Sequence, residues 1–352
     1  MTVDRDEPLT GLERRSFLRR TGAMAVGTSL TTGMVRAGEE KEKIRLGLIG
    51  CGGRGKWIAD LFSKNGAFQL VAVADYFQDR VDEVGKAFEV AEDRRFTGLD
   101  GYEQLLETSL DAVAIISPPF FHPEQAARAV AAGKHVFLAK PVAVDVPGSV
   151  SIEASGRVAE EKGLAFVVDF QTRADPLFQE AIKRVHDGAL GDLCFGESLY
   201  HAGRLQSKGE PSDPGARLRN WVFDQALSGD IITEQNIHTL DVMNWIMKAP
   251  PLRATGSGGR KVRTDVGDCW DHFSLVFEYP DGVGVTFSSR QFPAHGTRGG
   301  IINRMFGSKG VLLTEYGGKV MIRGGKDAFY RGGETKQIYR AGCVANIGTF
   351  AT

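Results

Sequence analysis

The fold is decided by the stretch Ile44-Arg-Leu-Gly-Leu-Ile-Gly-Cys-Gly-Gly-Arg-Gly55, in which an apolar run passes into a glycine-rich turn. The glycines have the spacing G-x-G-x-x-G, and a segment compatible with a helix follows over residues 56–64. A second apolar run then ends on Asp75, twenty residues after Gly55. This order of strand, turn, helix, strand and acid predicts a dinucleotide-binding site. An ordinary glycine-rich turn is the alternative, and the acid and the two strands argue against it.

The glycines and the acid each have a physical task in such a site. Gly50 permits the tight turn, Gly52 lets backbone N–H groups approach a pyrophosphate, and Gly55 lets the helix pack against the strand. The helix directs its positive end at the phosphates. Asp75 is placed to accept hydrogen bonds from the adenosine ribose hydroxyls and to repel a 2′-phosphate, which favours NAD over NADP. The residues that we predict to bind the cofactor here are Gly50, Gly52, Gly53, Arg54, Gly55 and Asp75.

Length and composition limit the classes of protein that this chain can be. Its 352 residues are too many for one ordinary domain and predict two. The formal net charge of −1 gives no reason to expect a nucleic acid partner. No uninterrupted apolar run reaches about 18 residues, so we expect no membrane span in the mature chain. The four cysteines form no C-x-x-C pair, which predicts neither a zinc site nor a disulfide framework and leaves a single Cys194–Cys269 bridge open.

The N-terminus differs in kind from the rest of the chain. Arg14-Arg15-Ser16-Phe17-Leu18 precedes a mildly apolar stretch over residues 21–35 and a V-R-A sequence that ends at Ala37. This pattern resembles a twin-arginine export signal, and a disordered basic tail is the alternative. The arginine pair directly before Phe-Leu favours export. We therefore expect a periplasmic or otherwise exported protein in which residues 1–40 are a signal segment.

Residues 41–170 alternate short apolar runs with helix-like patterns, which predicts a doubly wound α/β Rossmann domain with a parallel sheet. The predicted strands are Ile44–Gly50, Leu70–Asp75, Ala112–Ser117, His135–Leu138 and Ala165–Phe170. The predicted helices lie near Lys56–Lys64, Phe77–Phe88, Tyr102–Glu107, Glu124–Ala132 and Gly148–Lys162.

The pattern changes after Phe170. A helix over Pro176–His186 leads into runs with period-two character, and Pro280-Asp-Gly282 predicts a hairpin turn between two of them. These runs are Cys194–His201, Leu252–Val262, Cys269–Tyr279, Val283–Gln291 and Ile301–Phe306. Residues 171–352 are therefore predicted to form an α+β substrate and oligomerisation domain with a large, mostly antiparallel open sheet. We interpret the abrupt end after Asn346 as a truncation of this domain.

Two segments follow predicted strands at the edge where ligands collect in open α/β sheets. In Ser117-Pro-Pro-Phe-Phe-His122 we assign Ser117, Pro118 and His122 to cofactor binding, and a purely structural Pro-Pro connection is the equal alternative. Lys140 follows the strand over 135–138. A lysine at this edge is partly desolvated and can hold a substrate hydroxyl or alkoxide, although most loop lysines are surface residues.

A third candidate lies in the second domain, where Glu234, His238 and Asp241 have the spacing of one helix face. A carboxylate one turn from a histidine can fix the imidazole tautomer and raise its basicity, which suits a general base. A helix ion pair and a metal site made of the three residues are the alternatives. No second histidine or cysteine lies nearby in the sequence, so we predict no metal.

Together these segments resemble the Gfo/Idh/MocA family of oxidoreductases, from about residue 43 to the end of the chain. The family's Glu-Lys-Pro reads Ala139-Lys140-Pro141 here, so the lysine that lies at the nicotinamide and substrate carries over and the glutamate does not. The family's Asp-x-Gly-x-His reads Glu234-Gln-Asn236-Ile-His238, with a longer carboxylate and with asparagine in place of glycine.

The resemblance implies a Rossmann domain whose cleft is covered by the open sheet of the second domain, and homo-oligomers formed through that sheet. It also implies that Gln171-Thr-Arg173 and the loop Arg219-Asn-Trp221 face the cofactor or the substrate. With Asp241 added from the predicted helix face, the substrate-binding residues that we predict are Gln171, Arg173, Trp221 and Asp241.

These features predict an NAD(P)-dependent oxidoreductase that transfers a hydride at a secondary alcohol of a sugar, polyol or related small molecule. We expect His238 to take the hydroxyl proton, Lys140 to stabilise the alkoxide and Glu234 to orient His238, and Lys140 and His238 can exchange the acid–base role. Export further predicts a tightly held NAD that is regenerated in place. A redox-neutral NAD-dependent glycosidase or lyase that uses transient oxidation is one alternative, and a catalytically idle dinucleotide-binding protein is another.

Overall fold

The computed structural model describes residues 42–209 and 213–352. The arginine pair at positions 14 and 15, and with it the predicted export signal, lies outside the described residues. Among the helices that are described, none combines the length and the apolar character needed to cross a membrane.

The first domain is a parallel six-stranded sheet in the order β3-β2-β1-β4-β5-β6. Its strands are β1 Ile44–Ile49, β2 Phe68–Asp75, β3 Arg95–Thr97, β4 Ala112–Ile115, β5 His135–Ala139 and β6 Phe166–Asp169. Its helices are α1 Gly53–Asn65, α2 Gln78–Ala87, α3 Gly101–Glu107, α4 His122–Ala131 and α5 Val146–Glu161. The chain leaves β1 toward one edge of the sheet and β4 toward the other, so the crevice between these two strands is the switch point where ligands bind. The predicted doubly wound fold is confirmed.

The sequence explains where these elements begin and end. Residues of β4 are buried on both faces, as in a central parallel strand covered by helices. Helix α5 begins where the Asp145 side chain accepts a hydrogen bond from the Gly148 N–H, with Pro147 in its first turn. The short edge strand β3 was not predicted, because its three residues, of which only one is apolar, carry no periodicity.

The second domain contains an eight-stranded sheet in the order β14-β13-β12-β11-β7-β10-β9-β8. Its strands are β7 Leu193–Ala202, β8 Arg253–Gly259, β9 His272–Glu278, β10 Gly284–Gln291, β11 Gly300–Gly307, β12 Gly310–Glu315, β13 Lys319–Gly324 and β14 Tyr330–Glu334. Only β7 and β10 pair in parallel, so the predicted mostly antiparallel sheet is confirmed. The predicted turn at Pro280–Gly282 joins β9 to β10, with Asp281 at a φ of 61°.

Helices cover one face of this sheet. The helices of this domain are α6 Gln171–Ala174, α7 Pro176–His186, α8 Ala216–Arg219, α9 Gln225–Ser228, α10 Asp230–Glu234 and α11 Ile237–Met247, of which α7 and α11 pack on the strands. Apolar residues of α7 and α11 form a core with Val285, Met305 and Leu312 of the sheet. On the opposite face Phe195 and Phe306 stack with ring centroids 4.4 Å apart, and Phe195 and Val276 are exposed.

The last helix, α12 (Ile338–Phe350), returns to the first domain. Cys343, Ile347 and Phe350 are buried in the core that surrounds β1, and the Phe350 ring lies parallel to that of Phe68 at 6.0 Å. A boundary at residue 170 assigns this helix to the second domain, whereas Cys343, Ile347 and Phe350 pack in the core of the first and only Ile338 packs in that of the second. All four cysteines are free, so the Cys194–Cys269 bridge left open by the sequence is not formed.

Candidate active site

A cavity of about 780 Å³ lies at the carboxyl edge of the parallel sheet, between this edge and residues of the second domain. Of the predicted site residues, it is lined by Gly50, Gly52, Gly53, Arg54, Gly55, Asp75, Ser117, Pro118, Lys140, Trp221, Glu234 and His238. His122, Gln171, Arg173 and Asp241 do not line it.

The glycine turn has the shape that a pyrophosphate requires. Gly50 has a φ of +96°, and a Cβ there lies 2.6 Å from the Ile116 backbone. A Cβ on Gly55 falls 1.8 Å from the Gly50 carbonyl oxygen, whereas one on Gly53 meets nothing within 4 Å. No side chain caps the N-terminus of α1, so its first N–H groups are available to phosphate oxygens. The residues present therefore fit a dinucleotide.

Asp75 fixes this turn while it faces the cavity. Its Oδ2 accepts the Cys51 N–H at 2.7 Å, and its Oδ1 accepts the Phe77 N–H at 3.0 Å. Each oxygen retains acceptor capacity for a ribose hydroxyl, since a carboxylate offers about four lone-pair sites.

The end of the cavity beside Asp75 is bridged by a contact that the sequence did not reveal. The Arg219 guanidinium lies 4.0 Å from the ring centroid of Phe77, and its Nη2 is 3.1 Å from Asp79 Oδ1. Gly215 packs so tightly here that a Cβ on it lies 2.6 Å from the Phe77 ring. We call the contact of Arg219 with Phe77 and Asp79 the adenosine bridge, because it joins the second domain to the residues that follow Asp75.

Arg54 lines the cavity, but its side chain is engaged elsewhere. The guanidinium pairs with Asp169 at the end of β6 and donates to the hydroxyl of Tyr339 in α12. Asp169 is completely buried and also accepts from Asn346 Nδ2 at 2.8 Å. The Arg54 side chain therefore ties α12 to the glycine turn.

The segment after β4 divides between the cavity and the protein interior. Ser117 and Pro118 line the cavity, and the Ser117 hydroxyl donates to Gln125 Oε1 at 2.6 Å. His122 is buried, with Nδ1 2.9 Å from the Pro141 carbonyl oxygen and Nε2 2.8 Å from that of Ser117. Burial lowers the pKa of His122 to about 4. The structure places His122 in the interior and not on the cavity wall, with its ring between the Ser117 and Pro141 carbonyl groups, and the neutral ring donates to one of them.

Lys140 and Glu234 form a buried ion pair in the cavity wall. The Lys140 Nζ donates to the Glu234 backbone oxygen at 2.5 Å and to Oε1 at 3.2 Å. Their side chains are 11% and 13% exposed, so water screens this pair far less than a surface pair. Glu234 therefore orients Lys140 and not His238.

Glu234 and His238 do not lie on one continuous helix as the spacing predicted. Helix α10 ends at Glu234 and α11 begins at Ile237, so the four-residue spacing does not bring Glu234 and His238 onto one face. The Nδ1 atom of His238 is buried without a hydrogen-bond partner, which leaves Nε2 to face the cavity. Burial, with the positive charges of Lys140 and Arg54, holds the pKa of His238 well below its usual value, so the imidazole is neutral.

Of the four residues predicted to bind the substrate, only Trp221 lies in the cavity wall. Trp221 lines the cavity, whereas Gln171 is completely buried and donates to Asp169. Arg173 and Asp241 bind each other through two hydrogen bonds of 2.8 Å outside the cavity wall. The structure therefore places Gln171, Arg173 and Asp241 outside the cavity wall, with their polar groups hydrogen-bonded within the protein.

Cavity residues that the sequence analysis missed come from distant parts of the chain. They include Phe77, Arg80, Leu99, Tyr200, Gln235 and Tyr339. Tyr200 lies in a run that was predicted as a strand, but alternation alone does not tell which face meets a ligand. Among the described residues, no group of three or more His, Cys, Asp or Glu side chains is arranged to hold a metal ion.

Two family models match this chain. Residues 44–170 match the oxidoreductase family with an NAD-binding Rossmann fold, and residues 178–313 match the GFO/IDH/MocA C-terminal domain. The chain is 26% identical over 274 residues to an inositol 2-dehydrogenase of Rhizobium meliloti, covering 77% of this chain and 76% of that protein. It is 31% identical over 243 residues to an inositol 2-dehydrogenase of Burkholderia cenocepacia, covering 69% and 66%.

A solved structure has the same fold. The myo-inositol 2-dehydrogenase of Lactobacillus plantarum superposes with a TM-score of 0.66 over 88% of each chain, at 21% sequence identity. The glycine turn with Asp75, the eight-stranded sheet and the two matching family models all indicate the same family. The chain belongs to the Gfo/Idh/MocA family of NAD(P)-dependent oxidoreductases.

Proposed function

We propose that this protein oxidises or reduces a secondary alcohol of a sugar, polyol or related small molecule by hydride transfer with NAD. The observation that carries the proposal is the meeting of Lys140, Glu234 and His238 in the cavity that contains the glycine turn. The inositol dehydrogenases among its relatives support a polyol or sugar as the substrate class.

In the oxidative direction the alcohol carbon loses a hydride, its hydroxyl loses a proton, and a carbonyl group forms. Bound NAD supplies the hydride acceptor. The neutral imidazole of His238 can take the hydroxyl proton at Nε2. The ammonium group of Lys140, held by Glu234, stabilises negative charge on the substrate oxygen in a site that excludes most water. Lys140 can also exchange the acid–base role with His238.

We further propose that NAD stays bound between turnovers. The adenosine bridge closes the cavity beside Asp75, and this supports slow release of the cofactor. A protein exported folded through the twin-arginine route, as proposed from Arg14-Arg15, can carry its dinucleotide out of the cytoplasm. It must then retain the cofactor, because the compartment outside has no obvious supply of NAD.

We also propose that a second copy of the chain covers the outer face of the eight-stranded sheet. Phe195, Phe306 and Val276 on this face are half-buried or exposed in the monomer, and the Arg304–Glu197 ion pair of 2.7 Å lies among them. A contiguous exposed apolar patch on a sheet face is typical of a protein–protein interaction site.

The decisive experiment is an absorbance spectrum of the purified protein in the reduced-nicotinamide band, before and after addition of a panel of sugars and polyols. We expect bound nucleotide on purification and growth of the band with at least one compound, while free NAD with the same panel stays unchanged. Products at an unchanged oxidation level indicate the redox-neutral glycosidase or lyase. Bound NAD that responds to no compound contradicts the proposed reaction.

A further inference from the structure

Tyr200 lies on an inner strand of the eight-stranded sheet and lines the same cavity as the Lys140–Glu234 ion pair. It lies on β7, which is hydrogen-bonded to β11 on one side and to β10 on the other. Its cross-strand neighbours are Ser289 and Ile301. The side chain is only 9% exposed, and it lines the cavity together with Lys140, Glu234 and His238.

The hydroxyl of Tyr200 has no hydrogen-bond partner among the described residues, unlike other buried tyrosines. Tyr279 donates to Asn244 Oδ1 at 2.7 Å, and the hydroxyl of Tyr316 reaches Gln171 at 3.5 Å. The Tyr200 hydroxyl is not one of the fully buried polar atoms that lack a hydrogen-bond partner, so the protein does not enclose it. It therefore opens onto the cavity. A buried tyrosine hydroxyl normally finds a partner, and here that partner must come from the contents of the cavity.

The electrostatic surroundings decide what this hydroxyl can do. Burial raises the pKa of Tyr200, and the negative charge of Glu234 and the Tyr339 hydroxyl raise it further. The group therefore keeps its proton at neutral pH and acts as a hydrogen-bond donor rather than as a base. This distinguishes Tyr200 from His238, whose neutral ring can accept a proton.

We propose that Tyr200 is a specificity-determining residue that donates a hydrogen bond to a substrate hydroxyl next to the carbon that reacts. The inference rests on the proposed function, since it requires a hydroxylated substrate beside Lys140. A site built to hydrogen-bond one hydroxyl discriminates against an analogue that lacks it. Tyr200 therefore selects substrates with an oxygen at the neighbouring position, whereas Lys140 and His238 act on the reacting alcohol.

The test compares Tyr200→Phe with wild type, both loaded with NAD. The substrates are the best polyol of the absorbance panel and analogues of it that each lack one hydroxyl. We expect kcat/KM of the variant to fall about tenfold on the parent polyol, as for loss of one hydrogen bond. On the one analogue that lacks the partner hydroxyl, variant and wild type should have equal kcat/KM. The pH profile should not shift, because Tyr200 does not titrate in the working range.

Tyr279→Phe is the matched control, because it removes a buried tyrosine hydroxyl from the same domain but outside the cavity. We expect it to lower the melting temperature, through loss of the Asn244 hydrogen bond, and to leave kcat/KM unchanged. Tyr200→Phe should leave the melting temperature of the protein unchanged, because no protein group loses a partner.

The outcomes separate the two proposals. If wild type reduces its bound NAD with no polyol or sugar, the proposed function is wrong and the role of Tyr200 falls with it. If wild type is active and Tyr200→Phe has the same kcat/KM on every compound, only the inference about Tyr200 is overturned. A constant loss on all analogues also overturns it, because no single hydroxyl is then the partner.

Discussion

The two ends of the cavity are built on different physical principles. At the phosphate and adenosine end, the shape comes from backbone conformation, and the adenosine bridge adds an ion pair whose Asp79 partner is largely exposed. At the reacting end, Lys140, Glu234 and His238 are nearly removed from water, so each charge strongly affects its neighbours. The first end can therefore lose a side-chain contact at small cost, whereas the second cannot.

The largest effect that separates the two ends is expected from Lys140→Met. Turnover should fall about 10²–10⁴-fold, since the variant loses the group that holds the substrate oxygen. NAD affinity should change little, because the glycine turn and Asp75 remain intact. Steady-state kinetics and calorimetric titration with NAD measure the two quantities.

Removal of Lys140 leaves the Glu234 carboxylate buried without its partner, which can itself destabilise the protein. The double variant Lys140→Met/Glu234→Gln removes that charge and should restore the melting temperature but not turnover. Lys183→Met, at an exposed pair with Asp187, is the control for loss of a lysine. Turnover of Lys140→Met within threefold of wild type contradicts the assignment of Lys140.

The difference between the ends also explains what the sequence could predict. The turn from Gly50 to Gly55 is a local structure whose glycines are required by contacts within a few residues or with the adjacent strand, such as the 1.8 Å approach of a Gly55 Cβ to the Gly50 oxygen. The alternation of apolar runs likewise predicted every strand of the parallel sheet except β3. Local pattern was sufficient for the glycine turn and the strands at this end of the cavity, but not for the adenosine bridge, whose Arg219 and Asp79 are 140 positions apart.

The reacting end depends on contacts between distant residues. Lys140 pairs with Glu234 across 94 positions of the sequence. The spacing of Glu234 and His238 predicted one helix, but the helix is interrupted at Gln235 and Asn236. Neither of these residues is a strong helix breaker. Tertiary structure overrides the local pattern here. The sequence therefore predicted Lys140, Glu234 and His238 as site residues but did not predict that Glu234 pairs with Lys140.

A pH-dependent effect of intermediate size is expected at His238. Its pKa in the folded protein lies well below 6.5, so below this pH the unfolded chain binds a proton that the folded chain does not. Stability should therefore fall as the pH drops below 6.5. The contribution of His238 is at most about 1.4 kcal/mol per pH unit.

Urea unfolding of wild type and His238→Asn between about pH 7.5 and about pH 5 measures this slope. We expect the wild-type free energy of unfolding to fall more steeply with acid than that of the variant. His295→Asn is the control that removes an exposed histidine. Equal slopes for wild type and His238→Asn contradict the neutral, buried state of His238.

The smallest effect is expected at the adenosine bridge. Arg219→Ala removes the cation over Phe77 and the pair with Asp79, and partly exposed contacts of this kind contribute little. We expect bound NAD to dissociate about two- to fivefold faster, with turnover per bound NAD unchanged. The measurement is a chase of bound NADH with excess NAD, followed by nicotinamide fluorescence.

Arg217→Ala provides the matched control for the bridge. Arg217 belongs to the same short helix, but its partner Asp224 lies within the second domain, so its loss breaks no contact with the nucleotide domain. Salt should accelerate NADH release from wild type and from Arg217→Ala, and should have less effect on Arg219→Ala, because the screened ion pair is already absent. If the two arginine variants release NADH at the same rate, the ion pair does not retain the cofactor. Retention must then come from the backbone of the glycine turn, and both ends of the cavity would depend on buried structure.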